Sequence, residues 1–129
     1  MAARWNDWLR QATRDLDQAR DSQRAERHEW ACFAAHQAAE KAVKALHLRL
    51  GQEAWGDVIA RLVAELPASA PAPEGLLDKA RALDNFYVPA RYPNGHSAGA
   101  PFEHYGTLQS NQAIAYAGEI LEFVHTQVA

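Results

Sequence analysis

Polar residues capable of chemistry gather in two stretches of this chain. The first is FAAHQAAEKAVKAL, from Phe33 to Leu46, where Gln37 and Lys41 fall one helical turn apart on a face that otherwise reads as apolar. The second is LDNFYVPARYPNGH, from Leu83 to His96, where Tyr87, Arg91, Tyr92, Asn94 and His96 surround two prolines and a glycine. An arginine grips phosphate with a planar fork of donors and stabilises charge on a phosphorane-like transition state. A histidine moves protons near neutral pH. The Arg91-x4-His96 spacing therefore suits metal-independent cleavage of RNA, in which the 2′-hydroxyl attacks its own phosphate. It equally describes a loop histidine beside an arginine that bonds backbone carbonyls.

The other polar residues carry the same two readings. Gln37 and Lys41 either line a polar cleft against the Arg91 loop or lie at the bundle edge, with Lys41 snorkelling to solvent. Tyr87 and Tyr92 flank Arg91, where a tyrosine can stack a base or donate to a phosphate. Tyr87 also fits as the last apolar residue of its helix. Pro93-Asn94-Gly95 reads as a turn that carries His96 off the preceding helix. His36 and Glu40 are one turn apart and read as a solvated face. A metal site needs three or more converging ligands, and there is no HExxH, CxxC or acidic triplet. No metal or cofactor is expected. Phosphate-loop, dinucleotide and nucleophile-elbow motifs are also missing.

Helices must position these residues. Trp5, Trp8, Leu9, Ala12, Leu16 and Ala19 recur at three-and-four spacing and predict a helix from about Arg4 to Ser22. A second runs from about Arg27 to Leu50, with Trp30, Phe33, Ala34, Gln37, Ala38, Lys41, Ala45 and Leu48 as its inward stripe and Gly51 closing it. A third covers Asp57 to Leu66, with Asp57 as its cap. The prolines of PASAPAPEG, Pro67 to Gly75, force a loop. A fourth helix spans about Leu76 to Val88, where Pro89 ends it. An irregular segment follows to about Glu103, then a last helix from Thr107 to Thr126. No strand alternation is visible. The expected architecture is one all-α domain over residues 1–129, an up-and-down bundle of four main helices plus one short one.

Composition narrows the function classes. The formal net charge is −3 and no Lys/Arg run appears, so strong DNA binding through phosphate neutralisation is not expected. A pocket gripping one or two phosphates remains compatible. The single cysteine, Cys32, excludes an internal disulfide and fits a reducing cytoplasm. No signal peptide and no membrane-spanning run is expected. Surplus apolar surface on the first two helices suits a symmetric dimer.

With Trp5-Trp8 and Asp15-Leu16 at its start, the FAAHQAAEKAVKAL helix, and LDNFYVPARYPN followed by PFEHY, the chain resembles the HEPN domain family over nearly its whole length. The resemblance implies a helical homodimer with a shared cleft near the dimer interface. It implies a nucleotide or RNA ligand and a separate minimal nucleotidyltransferase as partner. The ligand-binding positions would be Gln37, Lys41, Tyr87, Arg91, Tyr92 and Asn94. Some family members are toxin ribonucleases with an Arg-x4-6-His motif, which maps onto Arg91 and His96. Here Tyr92 stands where the active version carries a polar residue, and Ala98 where one toxin subgroup has a tyrosine. Asp57 occupies a position where relatives often have histidine. Three functions therefore stand: a nucleotide- or RNA-binding dimer, a metal-independent ribonuclease, and a purely structural dimerisation module.

Overall fold

A computed structural model describes residues 4–87 and 89–129. The helices are α1 (Trp5–Arg24), α2 (His28–Arg49), α3 (Ile59–Ala64), α4 (Leu76–Asp84), α5 (Pro101–His104) and α6 (Thr107–Val128), with no strand among the described residues. α1, α2, α4 and α6 are the main helices of an up-and-down bundle, and α3 is the short extra one. The segment read as irregular holds a 3-10 turn, Pro93–Gly95, and the single-turn α5. α4 stops at Asp84, earlier than expected, and Val88 lies outside the described residues.

α2 is the central helix, packed mainly on α1 and α6. Its buried face coincides only in part with the expected stripe: Ala38 and Ala45 are buried as expected, and the rest of the face is turned. Ala31, Cys32, Ala35, Ala38, Ala39, Ala42, Val43, Ala45 and Leu46 have no exposure, and they form the contact surface. Trp30, Phe33, Ala34, Gln37, Lys41 and Leu48 lie partly or fully exposed beside it. The large residues drew the stripe to the wrong side. Alanines let neighbouring backbones come close, so the small residues face the partners and the bulky ones flank the seam.

Both helices of the α1–α2 hairpin end in the same kind of closure, and the one after α1 makes the tight turn. At the end of α2, Gly51 takes φ 78°, the Gly51 amide donates to the Leu48 carbonyl at 3.0 Å, and the Gln52 amide to the His47 carbonyl at 2.8 Å. This is a Schellman closure. α1 ends the same way, with Glu26 at φ 61° in the left-handed position; its amide donates to Gln23 and the Arg27 amide to Ser22.

α3 is held by groups distant in sequence. Asp57 does not cap it. The Asp84 carboxylate accepts from the Ile59 amide at 2.7 Å and the Ala60 amide at 3.0 Å. His47, buried at the end of α2, donates from Nε2 to the Leu62 carbonyl at 2.7 Å. At the other end of the bundle, Gln23 donates to Ser110 and Asn111, and His28 bonds the fully buried Ser110 hydroxyl, fixing the start of α6.

Candidate ligand cleft

A groove of about 530 Å³ runs between α1 and α2. It is lined by Asp15, Gln18 and Ser22 from α1, by Arg27, and by Trp30, Phe33, Gln37 and Lys41 from α2. Its size falls in the range that holds a small organic ligand. Residues 30, 33, 34, 37 and 41 share one helical face because they recur every three or four positions. Lys41 Nζ donates to Asp15 Oδ2 at 2.6 Å and lies 3.5 Å from Gln37 Oε1. Lys41 therefore neither snorkels away nor joins the core: it stands at the groove wall, anchored across the hairpin.

Arg91 lies against Phe33, so Phe33 joins the groove to the loop after α4. The Arg91 guanidinium carbon is 4.5 Å from the Phe33 ring centre, 4.6 Å from Tyr87 and 5.1 Å from Tyr92. Three aromatic faces around one guanidinium are a strong cation–π arrangement. Arg91 Nε donates to the Tyr87 carbonyl at 3.0 Å. No carboxylate lies within ion-pair distance of Arg91 among the described residues. The terminal nitrogens of the fork stay without an anion. Trp30 and Tyr92 are each about half exposed, at 48% and 51%, which leaves ring surface for a planar ligand.

Beneath this surface lies a polar cluster that the sequence did not mark. His36 and Glu40 are buried, not solvated: His36 has no exposure. His36 Nδ1 is 3.1 Å from the Gln37 amide nitrogen, and its Nε2 is 3.5 Å from Asp84 Oδ1 with no well-formed partner. Glu40 accepts from Lys44 at 2.9 Å. The His36 ring packs on Tyr87 with centres 4.9 Å apart. Burial pushes the Asp84 carboxyl up, but the His36 imidazole and the amides of Ala60 and Ile59 outweigh it and hold the group below its ordinary value. The Asp57 carboxylate beside Tyr87, with burial, raises that phenol above its usual range, and Arg91 opposes this. The i,i+4 spacing of His36 and Glu40 was visible in the sequence; what hid their burial was the misplaced apolar stripe.

The Arg91–His96 pair is not joined by any hydrogen bond among the described residues. His96 Nε2 donates to the Pro89 carbonyl at 2.7 Å, and its ring stacks on His104 at 3.9 Å between centres. Gly95 permits this: a Cβ there would come within 2.8 Å of the Pro89 backbone. Asn94 is exposed in the 3-10 turn and makes no hydrogen bond among the described residues. The structure thus places Phe33, Gln37 and Lys41 on one groove wall, gathers Tyr87 and Tyr92 about Arg91, which lies on Phe33, and commits His96 to its own loop.

Comparison with known proteins gives one consistent result. The family model described as the HEPN domain matches residues 5–127. The chain is similar to TT1696 from Thermus thermophilus, at 46% identity, covering 97% of this chain and 98% of that one, with a TM-score of 0.95. It is similar to ST0689, an archaeal HEPN homologue, at 39% identity, 98% coverage of both chains and a TM-score of 0.82. It is also similar to an HEPN domain protein, TM0613, from Thermotoga maritima, at 31% identity, covering 93% of this chain and 95% of that one, with a TM-score of 0.75. No curated protein matches the chain.

Proposed function

This chain belongs to the HEPN domain family, and on that premise we propose that it is a binding module that takes a nucleotide or an RNA phosphate in the cleft between α1, α2 and the Arg91 loop. The observation that carries this reading is the Arg91 guanidinium held among Phe33, Tyr87 and Tyr92 with no carboxylate partner among the described residues, next to a groove walled by Lys41 and Gln37. Arginine in that setting is preorganised for a phosphate, because the rings fix the fork before the anion arrives. Trp30 and Tyr92 supply faces for a base.

The protein works as a homodimer in the cytoplasm beside a separate minimal nucleotidyltransferase. Family membership supports the dimer and the partner. Exposed Trp55, Val58, Phe102 and Leu108 give apolar surface for such contacts, and the lone free Cys32 suits a reducing compartment. No described helix is long and apolar enough to cross a membrane. Binding is favoured over RNA cleavage because His96 is hydrogen-bonded to Pro89 and stacked on His104.

The test is a thermal melt against a panel of nucleotides and short RNAs, for wild type, Arg91→Ala and His96→Ala. At least one nucleotide should raise the wild-type melting temperature progressively with concentration. Arg91→Ala should lose that response and His96→Ala should keep it. No response to any ligand would sink the reading. RNA cleavage in EDTA, abolished in both variants, would replace it with the ribonuclease.

A further inference from the structure

We propose that Gln37 determines base specificity: its side-chain carbonyl keeps a free acceptor site on a residue of the groove wall, so the cleft selects adenine or cytosine, with an amine at the 6- or 4-position of the pairing edge, over hypoxanthine, guanine or uracil, with a keto oxygen there. This rests on the ligand-binding function above and adds what the site reads.

An amide has a donor end and an acceptor end of nearly equal size, and its neighbours decide which way it points. One end of Gln37 meets Lys41 Nζ at 3.5 Å, and an ammonium only donates. That end is therefore the carbonyl. The other end meets Glu40 Oε1 at 3.5 Å, and a carboxylate only accepts. That end is therefore the NH2. Two opposite charges, one near each polar atom of the amide, select the same orientation. Turning the amide over would set NH2 against ammonium and carbonyl against carboxylate.

The buried histidine completes the lock. The Gln37 NH2 lies 3.1 Å from His36 Nδ1, so Nδ1 accepts and the ring proton resides on Nε2. Nε2 points to Asp84 Oδ1 at 3.5 Å. His36 has no exposure, so water does not compete for Nδ1. Both amide protons are thus turned inward, to His36 and Glu40. The carbonyl has two acceptor sites, and its only hydrogen-bond neighbour among the described residues is Lys41, whose short bond goes to Asp15 at 2.6 Å. An acceptor remains on a residue that lines the groove. An amine on the base satisfies it; a keto oxygen confronts it, lone pair against lone pair.

Two measurements test this. Long-range 1H–15N spectra of the unliganded protein should show His36 as the Nε2–H tautomer. A proton on Nδ1, alone or with Nε2, would overturn the lock. Calorimetry with AMP and IMP, which differ by an amine against a keto oxygen on the same purine, should show AMP binding about tenfold tighter or more. Gln37→Met should bring the two within about twofold while keeping the fold, since the residue lies at the groove wall. Equal affinities in the wild type, or a preference that survives Gln37→Met, would overturn the proposal and leave the binding function standing. Binding of neither nucleotide, with the wild type still stabilised by another nucleotide or RNA of the panel above, would overturn the base preference alone; no response across the whole panel would remove the binding function as well.

Discussion

Asp84, at the last turn of α4, accepts a 2.7 Å hydrogen bond from the amide of Ile59, the first residue of α3, twenty-five positions earlier. The same carboxylate faces His36 on α2 at 3.5 Å. One side chain therefore caps a helix that lacks its own cap and orients the buried imidazole beneath the cleft.

Replacing Asp84 with Ala should cost about 2 kcal/mol, mostly from the lost cap, with a smaller part from removing the carboxylate that faces His36. The effect should depend on pH. The folded Asp84 carboxyl is held below its ordinary value, so its stabilisation is fully present above the unfolded value of about 3.9 and is lost as pH falls through the lower folded value. Urea unfolding of wild type and Asp84→Ala should differ most near neutral pH and converge in acid. A constant gap across that range would count against the assignment.

Glu26 occupies the left-handed position of the α1 closure at φ 61°, where a side chain is strained and glycine is not. Glu26→Gly should therefore raise stability by about 0.5–1 kcal/mol, despite the greater freedom glycine has in the unfolded chain. A lowered melting temperature would show that the Glu26 side chain contributes something its exposed position does not reveal.

Arg91→Lys keeps the charge and removes the planar fork that lies among three rings. Nucleotide affinity should fall about tenfold, a smaller loss than for Arg91→Ala, with little change in the melting temperature of the free protein. If lysine restores wild-type affinity, the cleft needs only a positive charge and the aromatic cage is incidental.

Cys32 should be inert in the native protein. It has no exposure, and burial, with a smaller push from Glu29, drives its thiol up to about 12. Labelling by a thiol reagent at pH 8 should proceed only as fast as the fold opens, and should speed up in denaturant. Rapid stoichiometric labelling in buffer would mean that the packing around α2 opens readily.

Much of this architecture was legible in the chain. Periodicity located the main helices to within a few residues, and Pro67 to Gly75 marked the loop before α4. Gly51 marked the end of α2, and Pro93-Asn94-Gly95 marked the turn that removes His96 from a helix. The orientation of α2 was not legible. Periodicity gives an angle between residues, whereas the buried angle depends on which neighbours press closest. With alanines on one side and Trp30 and Phe33 on the other, size suggested the wrong one. Gln37 and Lys41 stand on the wall of one groove, and the Arg91 loop adjoins it through Phe33, an aromatic residue that read as core. The roles of Asp84 and Asp15 could not be seen at all, since each acts across at least twenty-four residues through a contact that only the fold creates.

The alanine seam of α2 also bears on the order in which the protein assembles. An alanine gives up no side-chain rotamers on burial, so the seam is fixed as soon as its backbone is placed. Its main partner, α1, adjoins it through a tight turn, and contacts of short sequence separation form early. The α1–α2 hairpin should then serve as the nucleus, with the Arg91 loop closing over Phe33 afterwards. Ala35→Gly and Ala42→Gly should slow folding, whereas Arg91→Ala should act mainly on unfolding. The groove would thus be shaped early, and the arginine that completes it would be the last part delivered.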